Sequence, residues 1–165
     1  MASLSAVHFL IYRWVTICLR RGPVTCRRDI CSHITDVLRR YQQQFMSMAS
    51  IITEPLNTTE LDCLLREMSV GQRKWNTGRI VAMLAFLVFL LKRERQNGVS
   101  QEVLEKLIYD STGVLARATY QHPALRQFWA SEIKDDTGSG NNWWAVGLAS
   151  IALACMVWRI INRNL

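Results

Sequence analysis

Acidic side chains are absent from residues 1–28, which carry Arg13, Arg20, Arg21, Arg27 and Arg28 instead. A segment of one sign suits anionic lipid. A nucleic-acid patch would explain the same charge, but no nucleic-acid-binding motif accompanies it. Metal-ligand spacing is absent too, because His8, His33 and His122 have no ligand-forming neighbours. The chain has no H-E-x-x-H pair, no Gly-rich phosphate loop and no nucleophile elbow. Asp135 and Asp136 are adjacent in a polar stretch and read as solvated charges, not as an acid/base pair. The expectation is a protein that is not an enzyme and uses no metal and no cofactor. The cysteines (Cys18, Cys26, Cys31, Cys63 and Cys155) are odd in number and lack C-x-x-C spacing, so they read as free thiols in a reducing compartment. Strand alternation, internal repeats and low-complexity tracts are missing as well.

What is present is apolar and helical. Hydrophobic residues make up 50% of the 165, and the net charge is +7. Such a chain is not disordered, and residues 1–134 suffice for one domain with a sizeable core. Val7, Ile11, Trp14 and Cys18 share a helical stripe, which makes the N-terminus a first domain helix. A mitochondrial transit peptide fits the Arg-rich, acid-free composition as an alternative; a secretory signal fits less well, with Arg13 inside the apolar stretch. Ile30, Ile34, Val37, Tyr41, Phe45, Met48 and Ile52 continue at helical spacing on one or two helices, closed by Pro55. Asn57 and Glu60 resemble a capping box before Leu61, Leu64, Leu65 and Met68, and Gly71 breaks that helix. Asn57-Thr58-Thr59 also matches a glycosylation sequon, which a cytosolic domain leaves unused.

Asn76 is placed to cap a helix running through the wholly apolar Ile80–Leu91 to Arg95. Twelve apolar residues rise only about 18 Å, too short for a bilayer. A helix apolar all round belongs at the centre of a core. Asn97-Gly98 stops it, and Ser100 caps the next, with Val99 and Leu104 spaced as a hydrophobic staple. Val103, Leu104, Leu107, Ile108 and Leu115 are expected to line that helix's buried face. His122-Pro123 breaks the chain, Pro123 suits a first helical turn, and Leu125, Phe128, Trp129 and Ile133 give a short last helix. The sum is an all-α bundle of six or seven helices around one apolar core helix.

Residues 135–142 form a polar linker, Asp-Asp-Thr-Gly-Ser-Gly-Asn-Asn. Beyond it, Trp143 to Trp158 is a charge-free run of 16 residues, followed by Arg159 and Arg163. As a helix, Trp143 to Ile161 would reach about 28 Å, against a bilayer core of about 30 Å. Tryptophans at both ends suit the two interfaces, and the arginines can snorkel. A buried core helix is the rival reading of the run alone; the linker before it favours a C-terminal transmembrane anchor at 143–161.

Two stretches resemble the Bcl-2 family of apoptosis regulators. Trp75-Asn76-Thr77-Gly78-Arg79-Ile80-Val81-Ala82 is similar to the family's first homology region at the start of its central apolar helix, with Thr77 in place of the tryptophan. Phe86 falls where the family carries a groove aromatic. Ile30 to Phe45 is similar to the third homology region and the segment after it. Ile30 takes the place of its leucine, Ile34 and Thr35 stand where glycine and aspartate are usual, and Asp36 follows. The Gly-Gly-Trp of the second region is not recognisable near Trp129. The divergence and short length resemble those of viral members.

The resemblance implies a Bcl-2-like bundle with a tail anchor. It implies an anti-apoptotic protein that holds the amphipathic death-helix of pro-apoptotic partners in a hydrophobic groove. The site would be the mitochondrial outer membrane, on its cytosolic face, with the endoplasmic reticulum as second candidate. Membrane lipid is the tail's expected partner, nucleic acid is not a partner, and homodimerisation stays open. Arg79 would take the partner's aspartate from the groove edge, Asn76 would add a hydrogen bond, and Gly78 would allow close backbone approach. Val37, Tyr41, Phe45, Met48, Val81 and Phe86 would line the floor. On residue chemistry alone these six are equally ordinary core, and Arg79 is a solvated charge near a helix start. Two other functions fit the same organisation: a pore-forming death effector of the same fold, and a tail-anchored adaptor without a groove.

Overall fold

The computed structural model describes residues 3–20, 30–52, 56–63, 76–120 and 122–134. The expected linker and tail anchor, the Gly71 break, Leu64, Leu65, Met68, Cys26 and Cys155 lie outside them. All regular secondary structure among the described residues is helical: α1 (Leu4–Arg20), α2 (Ile30–Arg40), α3 (Gln42–Ala49), α4 (Thr77–Gln96), α5 (Gln101–Tyr120) and α6 (Pro123–Lys134), with a further helical stretch at 58–63. Among the described residues no helix is long and apolar enough to cross a membrane.

Local signals set most of the boundaries. Ser3 opens α1 by accepting the Ala6 N–H at 3.2 Å on its hydroxyl. The Asn57 side chain accepts the Glu60 N–H at 2.8 Å, one half of the expected capping box. Asn76, in extended backbone, caps α4 by accepting the Arg79 N–H at 2.9 Å. At the other end Gly98 adopts φ 81°, and the Asn97, Gly98 and Val99 amides return to carbonyls of the last turn. That left-handed conformation is open to glycine at little cost and satisfies carbonyls that a helix end leaves bare. Ser100 opens α5 and Pro123 occupies the first position of α6.

α4 is the centre. It is buried from Gly78 to Val88 without interruption, and Leu90, Leu91 and Glu94 are buried beyond. α1 packs most extensively along α5, and α2 along α4. Val7, Ile11, Trp14 and Cys18 are all buried, so the N-terminal stripe is a bundle face. Trp14 stacks on Trp129 of α6 with centroids 5.7 Å apart, and Phe128 meets Trp129 edge-on. Full burial of side chains this large is worth about 1.5–3 kcal/mol each. His8 bridges α1 to α5, its Nε2 lying 3.1 Å from the Thr112 hydroxyl and 3.2 Å from the Tyr109 carbonyl. Thr112 gives its own proton back to the Ile108 carbonyl at 2.7 Å, so His8 is the donor between them.

The stripe from Ile30 to Ile52 runs on two helices with a turn at Tyr41 between them, one of the two arrangements expected. Two details depart from expectation. α3 ends at Ala49 with Ser50 as its C-cap, short of Pro55. Ile52 still packs half-buried against the core after the helix has ended. Val103 is 50% exposed, not on the buried face of α5. Leu104, Leu107, Ile108, Ser111 and Leu115 form that face at spacings of three and four, and Val103 sits one residue, about 100°, off it.

Candidate functional site

The expected partner-binding residues come from three described elements. Val37 lies on α2; Tyr41 lies at the α2–α3 turn; Phe45 and Met48 lie on α3. Asn76 caps α4, and Gly78, Arg79, Val81 and Phe86 lie within it. The fold brings the aromatic members together: Phe45 meets Phe86 at 5.4 Å and Phe89 at 5.8 Å between ring centroids. α2 runs against α4, so Val37 and Val81 belong to the same packed layer.

These residues are not equally open. Val37, Phe45, Val81 and Phe86 are buried. Tyr41 and Met48 are half-buried, and so are Leu38, Ile52 and Phe89 beside them. Met46 and Ile51 are exposed at 53% and 54%. An apolar band therefore grades from closed core to open surface across α2, α3 and the chain just after α3. Phe89 belongs to this band and carried no signal of its own, because it falls inside a run where every residue is apolar.

Arg79 stands differently from expectation. It is neither at an open edge nor solvated: it is only 6% exposed. Its Nη1 is fully buried and makes no hydrogen bond. Burial lowers the guanidinium's pKa by desolvation, although such a group stays charged under all ordinary conditions. The position is adverse twice over. The buried Nη1 loses its water without gaining an acceptor, and the start of a helix carries partial positive charge of its own. Asn76 adds to the local chemistry: its side-chain oxygen is used in the cap, which leaves its amide N–H donors for another group. An anion, above all a planar carboxylate, is the species this corner lacks.

The opposite end of α4 holds two functional-looking residues that the sequence did not announce. Glu94 is 1% exposed, and its carboxylate accepts the Leu56 N–H at 3.2 Å and Arg93 Nη2 at 3.2 Å. Arg93 Nη1 donates to the Ala49 carbonyl at 2.7 Å. The available signal was an Arg-Glu pair in the last turn of a helix otherwise buried all round.

Among the described residues no group of His, Cys, Asp or Glu side chains is arranged to hold a metal ion. Cys18 and Cys31 are buried, and Cys63 is exposed. The chemistry on view is that of an all-α bundle with a buried arginine, one of its nitrogens unbonded, at the head of its central helix. Comparison with family models, curated proteins and solved structures finds no match to this chain.

Proposed function

We propose that this chain is an anti-apoptotic protein of the Bcl-2 kind, which holds an amphipathic death-helix against the α2–α3–α4 face. The observation that carries the reading is Arg79, buried at the start of the central apolar helix with Nη1 unbonded. A helix bringing one carboxylate would supply the acceptor the guanidinium lacks once Nη1 is uncovered, and its apolar face would cover Tyr41, Met48, Ile52 and Phe89. The order of motifs along the chain supports the same reading, with Asn76-Thr77-Gly78-Arg79 opening the central helix. The finer fold, a Bcl-2-like bundle, and the tail anchor at 143–161 are parts of this proposal. So is the placement at the cytosolic face of the mitochondrial outer membrane.

Survival is favoured over killing because the Ile30–Phe45 segment lacks the Gly-Asp of the third homology region, with Ile34 and Thr35 in its place. A killer uses that region as its own ligand. Two experiments test the reading. A panel of death-helix peptides is titrated into the purified full-length chain, and at least one is expected to bind below about 1 μM, or roughly 8 kcal/mol. Expressed in stressed cells, the chain is expected to delay cytochrome c release. Release triggered by the chain unaided points to the pore-forming effector, and binding to no peptide points to the adaptor.

A further inference from the structure

We infer that Arg93 and Glu94 form a latch between the end of α4 and the backbone of Ala49 and Leu56, and that the latch fixes α3 in place. On the function proposed above, it thereby sets the wall against which a partner helix docks. Three bonds make the latch. Arg93 Nη1 donates to the carbonyl of Ala49, the last residue of α3. Glu94 accepts the amide of Leu56, just before the helical stretch at 58–63. Arg93 Nη2 and Glu94 join the two at 3.2 Å.

The arrangement is costly in a way that marks it. Glu94 is a carboxylate at a helix C-terminus, where the dipole disfavours an anion, and it is almost wholly removed from water. Replacing such a buried pair as a whole by apolar residues is often neutral or stabilising. What a carboxylate adds is direction: it binds one backbone amide 38 residues away in sequence. Arg93 has the matching property, because its planar fork holds a carbonyl and a carboxylate on two separate nitrogens in fixed directions, where a lysine offers one rotatable point charge. Among the described residues α3 is otherwise held by side-chain packing, with Phe45 against Phe86 and Phe89 and Met48 against the core. It is a helix of 8 residues whose buried members are Phe45 and Ala49, and its N-cap residue, Tyr41, makes no side-chain capping bond. A helix this short is unstable by itself and takes its position from tertiary contacts. Exposed Met46 and Ile51 flank the Ala49 contact, so the latched segment carries the open part of the apolar band.

Order parameters from ¹⁵N relaxation of the full-length chain test this. They report local motion and do not respond to a uniform loss of global stability. In Glu94→Ala the amides from Met46 to Ile52, and that of Leu56, are expected to fall from the rigid range near about 0.85 to below about 0.6. The amides of α1 and α5 are expected to keep their values. Glu94→Gln retains an oxygen for the Leu56 N–H and is expected to restore most of the order; Arg93→Lys is expected to restore less. Leu115→Ala, a core cavity away from α3, is the control and is expected to leave α3 rigid. Unchanged order at Met46–Ile52 in Glu94→Ala overturns the latch, and so does equal loosening in Leu115→Ala.

The affinity readout uses an amphipathic helical peptide with one aspartate, and a loss of about tenfold is expected in Glu94→Ala. Local loosening with full peptide affinity overturns the docking-wall role. If the wild-type chain binds no such peptide while α3 loosens as expected, the latch stands and the groove reading falls.

Discussion

The two ends of α4 carry charges of the wrong sign for their positions, and the molecule treats them oppositely. At the C-terminal end the buried Glu94 carboxylate faces an unfavourable dipole, yet Leu56 and Arg93 both bond to it. At the N-terminal end the buried Arg79 cation faces the same penalty, and its Nη1 bonds to nothing. Partner-bearing charges hold a structure together. A buried charge left without a partner weakens the structure that contains it and gains when an outside group supplies the missing bond. On the function proposed above, the contrast separates a residue that builds the domain from one that equips it.

The middle of the helix sets the energetic scale for both ends. Phe86 is almost wholly buried and packs on Phe45. Phe86→Ala is expected to cost about 3–5 kcal/mol of stability, read by urea denaturation. A cost under about 1 kcal/mol would mean that the face is open and that its rings pack only when a partner arrives.

The sequence carried the frame of this helix well. Asn76, Gly98 and Pro123 act locally, and their side chains or backbone freedom decide helix ends within four residues, so their roles could be read directly. The α1 stripe was equally plain. Val103 was misread because apolar identity outweighed its angular position. The latch was out of reach: Glu94 and Arg93 find backbone atoms of Leu56 and Ala49 through the fold, and no periodicity encodes a bond to a distant carbonyl. Arg79 was located correctly but not its burial, since a charge at a helix start reads as solvated until the packing around it is known.

The next effect in size tests the satisfied end. Glu94→Ala orphans the Leu56 amide and leaves Arg93 without its carboxylate. Arg93 is 17% exposed and recovers part of its loss from water, so about 2–4 kcal/mol is expected by the same denaturation. Equal stability of Glu94→Ala and wild type would erase the distinction between the ends.

The unsatisfied end predicts the reverse sign. Arg79→Met keeps the aliphatic bulk and removes a desolvated cation from a helix start. Its stability is expected to match wild type or exceed it by up to about 2 kcal/mol. A loss above about 1 kcal/mol would show that Arg79 builds the domain after all, as Glu94 does.

Isothermal titration calorimetry of the tightest-binding death-helix peptide against wild type and Arg79→Met decides most directly whether Arg79 equips a binding site. The peptide must bury its apolar face and deliver a carboxylate to a cation that is largely buried. The account predicts an affinity loss of about 2–5 kcal/mol, at least about thirtyfold, in a variant no less stable than wild type. The same peptide with its aspartate replaced by asparagine is expected to lose little further affinity against Arg79→Met. Undiminished affinity in the variant, or equal sensitivity to the peptide's aspartate with and without Arg79, would contradict it.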